Sequence, residues 1–226
     1  MTTTKTLLDR SPKDVSLCIE TVSGMLVNPS NPSPDDIRVD DIAWALSRIP
    51  RFAGHTITET SYNVAQHSIY VSELLEDLFS GKLDEIVTEA VKGDLANIRT
   101  MAPNTSNVLI QALFHDGHEA YFGDIPSPIK KIPELTATFK NLEAKLDKAI
   151  FGHIKVPLPN ATEKAAIKFC DKIAQAIEGY QFMPSRGRNW DLPVPTLIMI
   201  QKFPHPMTPL ASYQAFLNRY HYLARQ

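Results

Sequence analysis

The chain has 226 residues, of which 43% are hydrophobic and 21% charged, and its formal net charge is −2. This composition is that of a globular protein and argues against a largely disordered chain. The near balance of 23 basic and 25 acidic side chains excludes a broad basic surface for a nucleic-acid polymer, although a few local cations can still bind a small anion.

The N-terminal part is the least regular. Residues 1–35 are predicted to form an arm, in which β-branched and turn residues over 16–27 favour a short β-hairpin. A helix is predicted to follow, with the carboxylates of Asp40 and Asp41 near its start and Pro50 at its end.

Helical periodicity dominates the rest of the chain. Ser61 is a good N-cap for the next helix, residues 80–102 have the composition of a surface insert, and residues 184–209 form a predicted proline-rich basic loop. Strand signals are few, so we expect one all-α domain over residues 1–226. The predicted helices after Pro50 are 62–79, 108–121, 135–154, 162–182 and 211–224.

No apolar run approaches the roughly 18 residues of a membrane span. The N-terminus has no signal-peptide core. The two cysteines, Cys18 and Cys170, are too few for a disulfide framework and are typical of free thiols in a reducing compartment. We therefore expect a cytoplasmic protein with no membrane partner.

Ionisable side chains interrupt three of the apolar helix patterns. These are His67, the adjacent pair His115 and Asp116, and Asp171. Such groups cost free energy on a buried face unless they are paired or bound to metal. His67 alone is better explained as a satisfied core histidine, and Asp171 alone as a surface carboxylate. As a set, two imidazoles and two carboxylates favour a divalent metal such as Zn, Mn, Co or Fe.

Glu119 follows His115 by four residues and Asp116 by three. On a helix this spacing puts its carboxylate on the metal-facing side, where it can orient a water or take a proton from it. The alternative is an exposed carboxylate at a helix end. His118 is also one turn from His115, and it can be a group behind the ligands, a ligand of a second metal or a surface residue.

The order and spacing of these residues resemble the HD-domain metal-dependent phosphohydrolases, whose ligands are His, His-Asp and Asp. Trp44–Phe52, Gly54–Thr56, Tyr62–Ser68 and the stretch from His115 to Lys130 resemble the 5'-deoxynucleotidase branch. Within that branch the chain is most similar to phage deoxyadenosine triphosphohydrolases, which belong to the pathway that replaces adenine by 2-aminoadenine. The pair Gly117-His118 stands where small residues are more usual in that branch, so His118 is a departure from the pattern.

The resemblance implies an HD-domain helical bundle with one divalent ion, Zn, Co or Mn. The implied metal ligands are His67, His115, Asp116 and Asp171. Additional Mg²⁺ would accompany a triphosphate substrate. The implied catalytic residues are Glu119 and Asp124, the latter positioning water or a leaving group.

For the substrate, the resemblance implies that Arg51 and Lys130 bind phosphate, with the aromatic ring of Phe52 beside the arginine. Arg51 taken alone is equally well explained as a surface residue. Trp44 and Ile49 are our candidates for an apolar wall at the purine 2-position, and core packing is the alternative for Trp44. His118 completes the predicted substrate-binding set.

The function implied most concretely is hydrolysis of dATP to deoxyadenosine and triphosphate, which lowers dATP in favour of the 2-aminoadenine nucleotide. The alternatives are a 5'-deoxynucleotidase acting on monophosphates and a catalytically inactive nucleotide-sensing module. A di-iron oxygenase on the same scaffold would need more histidine ligands. An apolar side of the last helix, with Tyr213, Phe216 and Tyr220, predicts a homo-oligomer. If the chain is phage-encoded, the expected compartment is the host cytoplasm.

Overall fold

The structure is a computed structural model, and it describes residues 14–82, 105–188, 190 and 205–226. In these residues one antiparallel hairpin, β1 (Ile19–Glu20) with β2 (Leu26–Val27), precedes the helices. The predicted all-α fold with a short N-terminal hairpin is thereby confirmed. The α-helices are α1 (Val39–Leu46), α2 (Val64–Phe79), α3 (Thr105–Leu113), α4 (Ser127–Lys130), α5 (Pro133–Ile154), α6 (Ala161–Phe182) and α7 (Pro209–Leu223).

Helix α2 lies at the centre of the bundle, packed against α3, α6 and α7. Its apolar residues Val71 and Leu75 are fully buried, and burial of each such side chain contributes about 1.5–3 kcal/mol to folding. Phe114, just after α3, meets Phe216 of α7 edge to face, with ring centroids 5.3 Å apart. This core fixes the axis of α2, and with it the position of His67.

The N-cap of α2 is Asn63, so the prediction of Ser61 was wrong. Asn63 Oδ1 accepts the backbone N–H of Gln66 at 3.1 Å, which satisfies one of the free donors of the first turn. The Asn63 amide also donates to Ser212 Oγ of α7 at 2.9 Å. Both residue types make good caps, and this contact with a distant helix is available only to Asn63.

The predicted helix over 108–121 is interrupted. α3 ends at Leu113, and after a turn a 3-10 helix runs over Gly117–Tyr121. The Gly117 N–H donates to the Phe114 carbonyl oxygen at 2.9 Å, which closes the turn. A Cβ at Gly117 would lie 3.4 Å from Ile150 of α5, so a larger residue would meet the neighbouring helix. Sequence periodicity did not reveal this break.

The apolar side of α7 faces the protein's own core. Phe216 is fully buried, and the Tyr220 ring lies 5.5 Å from Phe114. The Tyr213 hydroxyl donates to Asp40 at 3.2 Å. The argument for assembly through this face is therefore wrong, and a homo-oligomer stays a prediction without support from α7.

Most of the predicted insert 80–102 and of the basic loop 184–209 lies outside the described residues, so their roles stay predictions. None of the described helices is both long and apolar enough to cross a membrane. Cys18 and Cys170 are both free thiols, as predicted.

Candidate active site

The four predicted metal ligands converge from three elements: α2, the turn after α3, and α6. His67 Nε2 lies 3.2 Å from Asp171 Oδ1 and 3.6 Å from Asp116 Oδ2. His115 Nε2 lies 3.2 Å from the same Asp116 oxygen. Ligand atoms of His67, His115 and Asp116 all lie within 4.8 Å of one another, as the donors of a single ion must.

Each of the two imidazoles is oriented by a partner on its other nitrogen. His67 Nδ1 lies 2.6 Å from Glu178 Oε1, and His115 Nδ1 lies 2.8 Å from the Ala112 carbonyl oxygen. Both partners accept, so each ring carries its proton on Nδ1. Nε2 of each ring is then free to bind a metal. Both Nε2 atoms are buried without a hydrogen-bond partner among the described residues, as a ligand set for a divalent ion requires.

Glu178 also belongs to this centre. It is fully buried on α6, seven residues after Asp171, and it contacts both His67 and Arg51. Burial opposes its charge, yet His67 and Arg51 lower its pKa, so it stays ionised. Its place on the same helix face as Asp171 was the available signal.

The neighbouring charges set the protonation of two of these residues. Burial and Arg51 lower the pKa of His67, but Glu178 and Asp171 raise it to about 9, so a metal at Nε2 would take the place of the second ring proton. Burial raises the pKa of Asp116, but His115, His67 and Arg51 hold it well below its usual range. These charges leave Asp116 ionised and therefore able to bind a cation.

Arg51 is buried, so its interpretation as an ordinary surface residue is wrong. Its guanidinium lies 3.7 Å from Asp116, 3.8 Å from Asp124 and 3.4 Å from Glu178. The backbone holds it there, because the Arg51 N–H donates to the Tyr62 carbonyl oxygen at 2.8 Å. Burial lowers the pKa of Arg51, but the neighbouring carboxylates raise it by more. The net pKa lies above its usual value, so Arg51 stays positively charged.

Glu119 is also buried, 2% exposed, although it lies in the 3-10 helix and not on the predicted α-helix. Its Oε1 is 3.4 Å from Lys130 Nζ, and its Oε2 has no hydrogen-bond partner among the described residues. Burial, Asp116 and Asp124 raise its pKa to about 8. A carboxylate that titrates near neutrality is suited to proton transfer.

A cavity of about 710 Å³ opens beside these residues. It brings together most of the predicted site and adds cations that the sequence did not single out. Of the predicted residues, Arg51, His115, Asp116, His118, Glu119, Asp124, Lys130 and Asp171 line it. The residues that sequence reasoning missed are Lys140, Glu143 and Asp147 on α5, and Lys164 and Lys168 on α6.

The three predicted apolar and aromatic contacts do not line this cavity. Trp44 packs beneath Arg48, whose guanidinium carbon is 3.4 Å from the ring centroid, and meets Tyr213 edge to face. Ile49 packs against the core, and the Phe52 ring lies 5.5 Å from Trp190. Packing was the alternative for Trp44, and the purine wall stays a prediction.

His118 lines the cavity next to Glu119. Its Nδ1 is 2.9 Å from Asp147 Oδ1, and its Nε2 is 3.8 Å from Glu143 Oε1. The imidazole stacks on Phe122, with ring centroids 5.5 Å apart. It is therefore a buried residue of the site, which excludes the surface alternative.

Comparison with known proteins identifies this arrangement. The model of the YfbR-like 5'-deoxynucleotidase family matches residues 42–179, a range that includes all four predicted metal ligands. The chain is 29% identical over 208 residues to the uncharacterized protein YfdR of Escherichia coli K12, covering 91% of this chain and 95% of YfdR. It is 28% identical over 214 residues to an uncharacterized protein of Rhodobacter capsulatus, covering 90% and 94% of the two chains.

These matches confirm the predicted enzyme class, an HD-type phosphohydrolase that depends on a metal. They support the 5'-deoxynucleotidase branch. They give no support to the narrower resemblance to phage dATP triphosphohydrolases.

Proposed function

The chain belongs to the YfbR-like 5'-deoxynucleotidase family, and from that premise we propose that it hydrolyses the 5'-phosphate ester of deoxynucleotides. The observation that carries the proposal is the pair of buried, unpartnered Nε2 atoms of His67 and His115 beside a cavity that also holds Arg51 and Lys130. The two imidazoles supply metal ligands, and Arg51 and Lys130 supply positive charge for a phosphate group.

In the proposed mechanism, His67, His115, Asp116 and Asp171 hold the divalent ion. When bound, such an ion supplies Lewis-acid activation of water and of a phosphoryl oxygen. Arg51 and Lys130 offset the charge that develops on the phosphoryl oxygens in the transition state. Their positions are fixed by carboxylates, Glu178 for Arg51 and Glu143 for Lys130, so little reorganisation is needed during the reaction.

The two remaining carboxylates are suited to proton transfer. Glu119 accepts the proton of the water that attacks phosphorus, since its unpartnered Oε2 is available. Asp124 lines the same cavity, and burial raises its pKa although Arg51 lowers it. We propose that Asp124 donates a proton to the 5'-oxygen when the bond between that oxygen and phosphorus breaks. The products are a deoxynucleoside and phosphate.

A second candidate substrate is a deoxynucleoside triphosphate, which would yield the deoxynucleoside and triphosphate. Lys140 and Lys164 on the outer wall favour it, because they extend the positive charge beyond Arg51 and Lys130, whereas Lys168 is paired with Asp171. The sharpest form, with dATP as the substrate and Mg²⁺ accompanying the triphosphate, rests on the resemblance alone. Trp44 and Ile49 do not line the cavity, and they add nothing to the expected preference for adenine.

The test is to incubate the metal-loaded protein with each dNMP and each dNTP and to separate the products. We expect deoxynucleoside release, with phosphate from a monophosphate or with triphosphate from a triphosphate. The matched control is the Asp171→Ala variant, which should show no turnover. The absence of turnover with every nucleotide, in protein shown to hold its metal, would contradict the proposal and favour a nucleotide-sensing module.

A further inference from the structure

His118 has no part in the proposed reaction, yet it has the features of a metal ligand. The Asp147 carboxylate can only accept, so the 2.9 Å contact puts the ring proton of His118 on Nδ1. Histidines that bind metals commonly donate this second N–H to a carboxylate in the same way. The His118 side chain is 7% exposed, and its Nε2 lone pair points away from Asp147.

That Nε2 atom has no hydrogen-bond partner among the described residues. The nearest acceptor, Glu143 Oε1, is 3.8 Å away, beyond hydrogen-bond distance. A proton on Nε2 would therefore have no acceptor within hydrogen-bond distance among the described residues. A cation bound to the Nε2 lone pair would take the place of that proton.

The carboxylates that complete such a site are close by. Ligand atoms of Asp116, His118 and Glu119 all lie within 4.8 Å of one another. Glu119 Oε2 is buried without a partner among the described residues, while its Oε1 already contacts Lys130. Lys130 Nζ therefore pairs with one oxygen of Glu119 and with one of Glu143. Glu119 Oε2 and His118 Nε2 are left without a hydrogen-bond partner among the described residues.

We infer that Asp116, His118 and Glu119 bind a second divalent cation beside the ion of the HD ligands, and that the carboxylate of Asp116 is shared between the two. One imidazole and two carboxylates suit Mn²⁺, Co²⁺ or Zn²⁺ better than Mg²⁺, which prefers oxygen ligands alone. Asp147 positions His118, and Glu143 Oε1 at the cavity wall lies 3.8 Å from His118 Nε2. The inference concerns binding and does not require the proposed reaction; when the second ion is bound, Glu119 Oε2 is its ligand and is not free to accept the proton of the water.

Metal counting tests this directly. Protein freed of metal by a chelator is titrated with Mn²⁺, and bound ions are counted by calorimetry and by elemental analysis. We expect two ions per chain in the wild type and one in His118→Ala. Asp171→Ala should retain the second ion, because Asp171 is not among its ligands. Asp147→Asn should weaken the second ion about 10- to 100-fold. The exposed His221 provides the matched control, and His221→Ala should bind two ions.

Electron paramagnetic resonance of the Mn²⁺-loaded protein shows whether the two ions are neighbours, since two ions that share a carboxylate give an exchange-coupled spectrum. A single ion in the wild type, two ions in both His118→Ala and His118→Gln, or two uncoupled ions would each overturn the inference. Thermal unfolding of the His118 variants shows whether they are folded, and His118→Gln keeps the buried volume if the alanine variant is not. Two coupled ions with no nucleotide turnover would leave the inference standing and contradict only the proposed function.

Discussion

The floor of the cavity and its outer wall are built in different ways. On the floor, His67 is fully buried and both imidazoles are held by partners behind them. On the wall, Lys140 and Lys164 are exposed, and the side chain of Lys168 is 66% exposed. The floor is thus arranged once the chain has folded. The exposed Lys140 and Lys164 keep more rotamer freedom, whereas Lys168 is paired with Asp171 of the floor at 2.5 Å. If the proposed function is correct, we expect the floor to determine the reaction and the wall to affect which phosphate chains are accepted.

The largest effect is expected from a change to the floor itself. Asp171→Ala removes one of the four proposed ligands of the HD ion, so we expect loss of that ion and of measurable turnover. Elemental analysis and product release check both. Lys172→Ala is the matched control, because Lys172 is exposed on the same helix. Wild-type metal content in Asp171→Ala would show that Asp171 does not belong to the floor.

Glu119→Ala should slow turnover about 10²- to 10⁴-fold, the usual contribution of a general acid or base. The HD ion and the nucleotide should still bind, because the ligands of that ion are unchanged. The measurement is kcat at saturating metal and substrate, with nucleotide binding followed separately. A kcat near that of the wild type would remove Glu119 from the proton transfer.

Glu178→Gln changes the residue that contacts His67 on the ring nitrogen away from the metal. The amide keeps the volume but loses the charge that orients His67, so we expect metal affinity to fall about 10- to 100-fold. Competition with a chelator of known affinity measures it, and Asp171→Ala provides the limit of complete loss. An unchanged affinity would mean that the bundle alone orients His67.

The smallest effects are expected at the wall. Lys140→Ala and Lys164→Ala should each raise KM for a triphosphate about 2- to 5-fold, since an exposed charge pair contributes about 0.5–1 kcal/mol. KM for a monophosphate should change less than twofold. Steady-state kinetics on matched dNMP and dNTP pairs give the ratio. Equal changes for both substrates would show that the wall does not distinguish them.

The same contrast explains what could be read from the sequence. A charged residue on an apolar stripe is conspicuous, so the amino-acid pattern alone singles out His67, Asp116 and Asp171. Lysines on an exposed helix face look like any others, so Lys140 and Lys164 could not be recognised in this way. Their function depends on the approach of α5 and α6, which is a tertiary property.

The local errors have a similar origin. Asn63, and not Ser61, is the N-cap of α2, and its side chain also donates to Ser212, 149 residues away in the chain. The helix expected over 108–121 ends at Leu113, and at Gly117, after the break, an added Cβ would lie 3.4 Å from Ile150 of α5. Both places are close to a helix that is distant in the chain, and a local sequence pattern does not contain such contacts.

The proposed HD ligands come from positions 67, 115, 116 and 171, so the unfolded chain does not hold all four together. An ion at this centre would therefore bind the native state more tightly than the unfolded chain, and its free concentration would be thermodynamically linked to folding. At 100 times the dissociation constant the linkage contributes about 2.7 kcal/mol, a substantial part of the stability of a typical domain. The supply of metal then influences how long the folded protein survives as well as whether it is active.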